Sequence, residues 1–203
     1  MPCTKYSNVK YLVQGTIYSD VIESKGSKHA ANIKSHHNVG GLPKNLKMEL
    51  VEPIREFYTD EVRRIAKKIG IPKHFITQQP HPGPGFAIRI IGEVTKERLE
   101  ITRKADQIIV QEMKRSSWYE KLLHSFAVLT GASSTSVKGD GRVYGEVVAI
   151  RALVSKDRMT ADWPNLPYSL LQTISSRIMN EVPEISRVVY DITTKPPATM
   201  EWE

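Results

Sequence analysis

The chain has 203 residues, 40% of them hydrophobic and 25% charged, with a formal net charge of +7. That is ordinary globular material for one domain or two small ones, with no run approaching the roughly 20 apolar residues of a membrane span. The opening MPCTKYSNVK lacks the apolar core of a signal peptide, and one cysteine, Cys3, excludes an internal disulfide framework, so the cytoplasm is the default location.

Val9–Val13 reads as a short strand ended by Gly15. Residues 14–47 show no sustained period and read as a long loop, a kind of connection that is usually functional. Asp20 and Glu23 lie just beyond the strand end, the usual ligand side of an α/β sheet, where they could accept hydrogen bonds from a ligand or help hold Mg²⁺. Helix caps and loop carboxylates would look the same. From Lys25 to Lys47 there are five lysines, three histidines and no acid, an excess that favours an anionic partner. A solvated basic loop has the same composition. Within it, the neighbours His36 and His37 point in different directions and lack further ligands, so no metal site is expected. Lys34 beside these imidazoles is better suited to gripping phosphate oxygens, and Gly40 and Gly41 permit close backbone approach. Leu50–Pro53 reads as a second strand, and Thr59 as the cap of a helix with Val62, Ile65, Ala66 and Ile69 inward, stopped by Gly70 and Pro72. Residues 1–80 therefore form part of an α/β domain, too small to cover both faces of a parallel sheet.

His81-Pro82-Gly83-Pro84-Gly85 marks a boundary. Beyond it Phe86–Ile91 reads as a strand, Thr95–Lys114 as an amphipathic helix and Leu122–Leu129 as a strand. The Gly139-Asp140-Gly141 turn leads into a strand Arg142–Val154, followed by a helix Leu166–Val182 and a strand Arg187–Tyr190. Antiparallel strands with two main helices make residues 81–203 an α+β unit. Apolar residues on both strand faces suggest cover by a partner subunit. After Tyr190, Pro196-Pro197 excludes helix and interior sheet, leaving a stiff, extended arm that sets the Lys195 cation and the Glu201 carboxylate on either side of the prolines. A packing arm anchored by Trp202 is the simpler alternative.

In order along the chain, QGTIYSDVIES (14–24), IKSHHNVGG (33–41), LVEPIRE (50–56), HPGPGFAIR (81–89), KGDGRVYG (138–145), MTADW (159–163), the stretch Arg177–Pro183 and RVVYDITTKPPATMEWE (187–203) resemble the C-terminal part of the GMP synthase family. The resemblance runs from about residue 9 to the end. It implies that residues 1–80 are the last portion of a Rossmann-like ATP-pyrophosphatase domain, with a lid loop at about 19–42. Residues 81–203 would be a dimerisation and XMP-binding domain. In that family XMP is adenylated with ATP and Mg²⁺, and ammonia from a glutamine amidotransferase domain displaces AMP to give GMP. Lys34, His36 and His37 are then expected on the lid as catalytic groups, with Asp20, Lys195 and Glu201 contacting XMP. The expected partners are XMP and a second copy of the chain.

Three departures stand beside the matches. The family's Ser-Gly-Gly-Val-Asp-Ser phosphate loop is absent, as is a glutaminase nucleophile setting; Thr130–Lys138 replaces a segment with a Pro-Val-Arg run. On the resemblance the chain is thus expected to be a fragment that begins inside the pyrophosphatase domain, keeps its own C-terminus, and does not catalyse alone. The competing reading is a standalone dimeric scaffold without nucleotide binding. Nucleic acid is not expected as a partner, because the charge excess is concentrated in one His-rich loop and no aromatics interleave with Lys and Arg.

Overall fold

The structure, a computed structural model, describes residues 9–24, 48–156 and 158–203. Lys34, His36 and His37, with residues 25–42 of the expected lid, lie outside the described residues. Chain contacts separate two units, Met1–Ile76 and Thr77–Glu203.

In the first unit β1 (Tyr11–Val13) pairs in parallel with β2 (Glu49–Val51), placing Leu12 opposite Leu50. Part of the expected long loop is helical: α1 spans Tyr18–Ser24. The amphipathic helix α2 covers Thr59–Lys68, but its N-cap is Tyr58 rather than Thr59. Glu61, at the third helical position, reaches back to accept from the Tyr58 N–H at 2.9 Å, which satisfies a backbone donor that the helix itself cannot. None of the α2 residues is buried within this unit. A short helix, α3 (Lys73–Ile76), ends it.

The second unit holds the core. Phe86–Ile91 is not a strand: Gly85 takes φ +70° and Gly85–Arg89 winds into a 3₁₀ turn, leaving only Ile90 bridged to Leu129. A run of apolar residues next to two Pro-Gly pairs has no alternation to separate turn from strand. The helix α4 (Lys96–Arg115) starts where expected, with Thr95 Oγ1 accepting from the Arg98 N–H at 3.2 Å. Its apolar stripe of Ile101, Ala105, Ile108, Ile109 and Met113 is buried against the sheet and α5 (Tyr168–Glu181).

The sheet has the order β3-β4-β5, with β3 (His124–Lys138) longer than its apolar run, β4 (Gly141–Leu153) and β5 (Ile185–Tyr190). The pair β3/β4 is an antiparallel hairpin whose two-residue loop begins with Gly139 at φ +59°, where II′ hairpins put glycine. The pair β4/β5 is parallel, α5 providing the crossover. A bulge interrupts β3 between Leu129 and Ser133. Gly131 makes it possible: at φ +74°, its backbone passes so near the Ile91 carbonyl that a Cβ would lie 2.9 Å from that oxygen. Gln79 is bound into this unit. Its Oε1 accepts from the Ser125 N–H at 2.8 Å, and its Nε2 donates to the Tyr119 carbonyl at 3.0 Å.

Candidate functional site

The C-terminal segment after β5 is held by one side chain of the neighbouring strand. Arg151 lies in the apolar run near the end of β4, with no exposed surface. The parallel register sets Ile150 beside Tyr190, so Asp191 emerges next to Arg151. Arg151 Nη1 donates to the Thr193 carbonyl at 2.6 Å and lies 2.9 Å from Asp191 Oδ2, while Nη2 donates to the Thr199 carbonyl at 2.9 Å. A planar fork of fixed donors suits such multiple contacts better than an ammonium. Asp191 Oδ2 also accepts from the Trp202 indole at 2.8 Å, and Oδ1 from the Thr193 N–H at 2.9 Å. Burial would raise the Asp191 pKa, but the hydrogen bonds from Thr193 and Trp202 and the charge of Arg151 hold it below the usual carboxylate value.

The segment is therefore a looped strap rather than a straight arm. Pro196 and Pro197 occupy a turn closed by the Ala198 N–H donating to the Thr194 carbonyl at 3.0 Å. Before the turn, Lys195 pairs with Ala161 through both backbone groups, at 2.8 and 2.9 Å. Its Nζ donates to the Arg158 carbonyl at 2.8 Å. Beside it opens a cleft of about 370 Å³ lined by Val154, Lys156, Thr160, Asp162 and Thr194, among others.

After the turn, Glu201 is directed to the start of β3, where His124 stands. Arg89 Nε donates to Glu201 Oε2 at 3.3 Å, and Nη2 to Oε1 at 3.4 Å. Arg89 is only 3% exposed, and its remaining directions are used. Nη1 is 3.4 Å from Asp106 Oδ1, Nη2 is 3.0 Å from His124 Nε2, and the guanidinium lies 4.3 Å from the centre of the Phe126 ring. Arginine has no acceptor, so His124 Nε2 must accept; the neutral ring then carries its proton on Nδ1, 3.7 Å from Glu201 Oε1. Burial first, then the charge of Arg89, depresses the His124 pKa to about 3, which keeps the ring neutral. Burial raises Asp106 despite its hydrogen bond from the Ala127 N–H. Burial also raises Glu201, and Arg89 offsets this only in part.

Lys195 and Glu201 thus share a strap but engage different surroundings. In the first unit, Asp20 accepts from the Ile17 N–H through Oδ2 at 3.1 Å, at the start of α1. Nearby, Thr16 donates to Glu52 at 2.6 Å; this bond leads the effects that hold Glu52 below its usual pKa. Among the described residues, no group of three or more His, Cys, Asp or Glu side chains is placed to hold a metal ion, and none of their helices is long and apolar enough to cross a membrane.

Sequence reasoning missed Arg89, Asp106, His124 and Arg151. A signal existed for the arginines, since each interrupts an apolar run, FAIRI and VVAIRALV. A cation in such a place must find partners or forfeit several kcal/mol.

A family profile described as the GMP synthase C terminal domain matches residues 111–202. The GMP synthase [glutamine-hydrolyzing] of Caldanaerobacter subterraneus subsp. tengcongensis is 56% identical over 199 residues, covering 98% of this chain and 39% of that protein. The enzyme of the same name from Dehalococcoides mccartyi is 57% identical over 201 residues, with 98% and 38% covered. That of Aquifex aeolicus is 53% identical over 199 residues, with 98% and 39% covered. The chain spans about two fifths of the length of these curated relatives.

Proposed function

We propose, from the match of residues 111–202 to the GMP synthase C terminal domain and from the similarity of nearly the whole chain to part of GMP synthase, that the chain serves the amination of XMP to GMP. The observation that carries the reading is the strap. It presents a cation, Lys195, between the two carbonyls that Arg151 holds, and a carboxylate, Glu201, two residues beyond the second of them. Lys195 faces the XMP phosphate, and Glu201 accepts from a purine N–H. Held by its backbone at Ala161, Lys195 reaches the phosphate without any reordering of the main chain.

ATP supplies the adenylyl group that makes the C2 oxygen of XMP a leaving group. Within this chain, Lys34, His36 and His37 stabilise the charge that grows on the phosphates as pyrophosphate departs, and Asp20 contacts XMP. The described residues offer no cluster of three or more His, Cys, Asp or Glu side chains for Mg²⁺. Ammonia comes from glutamine hydrolysis, the activity in the name of the relatives. The second unit pairs with another copy of itself. The β3/β4 hairpin, with Val137 78% and Tyr144 73% exposed, offers apolar surface for that contact.

Calorimetric titration with XMP tests the reading. The wild-type chain is expected to bind XMP, and Lys195→Met to abolish binding while the oligomeric state by light scattering stays the same. Unchanged affinity in Lys195→Met would overturn the reading and favour a packing strap.

A further inference from the structure

Glu201 is held in an unusual way for an ion pair. Charge-assisted N–H···O bonds run about 2.7–2.9 Å, and Arg151 reaches Asp191 within that range at 2.9 Å. Arg89 instead approaches Glu201 at 3.3 and 3.4 Å, leaving acceptor capacity on a carboxylate with about four lone-pair sites. Arg89 does not depend on Glu201 for its own neutralisation, because Asp106 lies on its far side. Its plane is fixed by the Phe126 ring and by the acceptor nitrogen of His124.

We propose that Arg89, backed by neutral His124, is a positioning residue for Glu201. It keeps the carboxylate ionised and in one orientation, so that Glu201 accepts from the purine N–H without reorganising. The physical basis is preorganisation: the ordering of a flexible Glu side chain is completed before the ligand arrives. Phe126 and Asp106 act on the ligand only through Arg89. This inference rests on the reading of Glu201 as an XMP contact.

A double-mutant cycle on the full chain, read by XMP calorimetry, tests it. Glu201→Gln and Arg89→Met are each expected to weaken XMP binding about tenfold or more, and the double variant to bind within about twofold of the weaker single variant. Arg89→Lys, which keeps the cation but loses the fork, is expected to fall between wild type and Arg89→Met. Losses that multiply in the double variant, or an Arg89→Met affinity equal to wild type, overturn the inference while leaving the Glu201 contact standing. An unchanged affinity in Glu201→Gln overturns the contact itself, and the inference with it. Should Arg89→Met fail to fold, Arg89→Lys decides: weaker XMP binding at an unchanged melting temperature supports the role, and unchanged binding refutes it.

Discussion

Two arginine–carboxylate pairs grip the same C-terminal strap, and burial has opposite outcomes in them. At the near end, Asp191 receives a 2.9 Å contact from Arg151, a backbone N–H and an indole N–H, and its pKa falls. At the far end, Glu201 receives longer contacts from an arginine shared with Asp106, and its pKa rises. Composition does not separate the pairs. What separates them is how many donors point at the charged form, which decides whether desolvation is outweighed. The saturated pair is an anchor, and the undersupplied pair is the one proposed to meet a ligand.

The largest effect is expected from Arg151→Met, which leaves Asp191 without its cation and releases two carbonyls. Urea unfolding should show a loss of about 3–5 kcal/mol, the usual result of removing one partner of a buried pair. Asp191→Asn, which removes a charged acceptor but little volume, should cost about 1.5–3 kcal/mol. Trp202→Phe keeps an aromatic side chain, though a smaller one, and deletes the indole N–H donor, so about 1 kcal/mol is expected in the same assay. Glu201→Gln should lie within about 0.5 kcal/mol of wild type in stability, while losing XMP affinity. If Glu201→Gln proved as destabilising as Asp191→Asn, the two ends would be equivalent anchors and the contrast would fail.

Acid unfolding sharpens the contrast through its sign. Asp191 has a depressed folded pKa, so its contribution is present above the unfolded value and lost as pH falls through the folded one. Glu201 has a raised folded pKa; ionising it costs the folded state stability, and the cost is relieved as pH falls through the folded value. Asp191→Asn should therefore remove part of the acid-induced loss of stability. Glu201→Gln should steepen that loss by removing an opposing contribution.

Much of the second unit was legible in the sequence because its signals are local. The 3.6-residue spacing and Thr95 cap mark α4, Gly139 marks the hairpin, and the apolar run at Arg187–Tyr190 marks β5. The parallel pairing of β4 with β5 is not local and does not show in either strand's composition. The turn at Gly85–Arg89 was hidden because a short apolar run serves strand and turn alike. At the candidate site the strap residues could be found, whereas Arg89 and His124 could not be joined to Glu201. They are separated from it by 112 and 77 positions, and only the folded chain brings them together.

The pairing of Lys195 with Ala161 uses main-chain atoms for both bonds of the bridge. The address of position 195 is therefore written in the backbone, and the side chain mounted there can be exchanged without moving the mount. On the proposed reading of Lys195 as a phosphate contact, replacing that one residue changes which anion the strap accepts, while the turn at Pro196-Pro197 and the strap's anchorage stay as they are. Position 195 is accordingly a natural place to begin redesigning ligand preference.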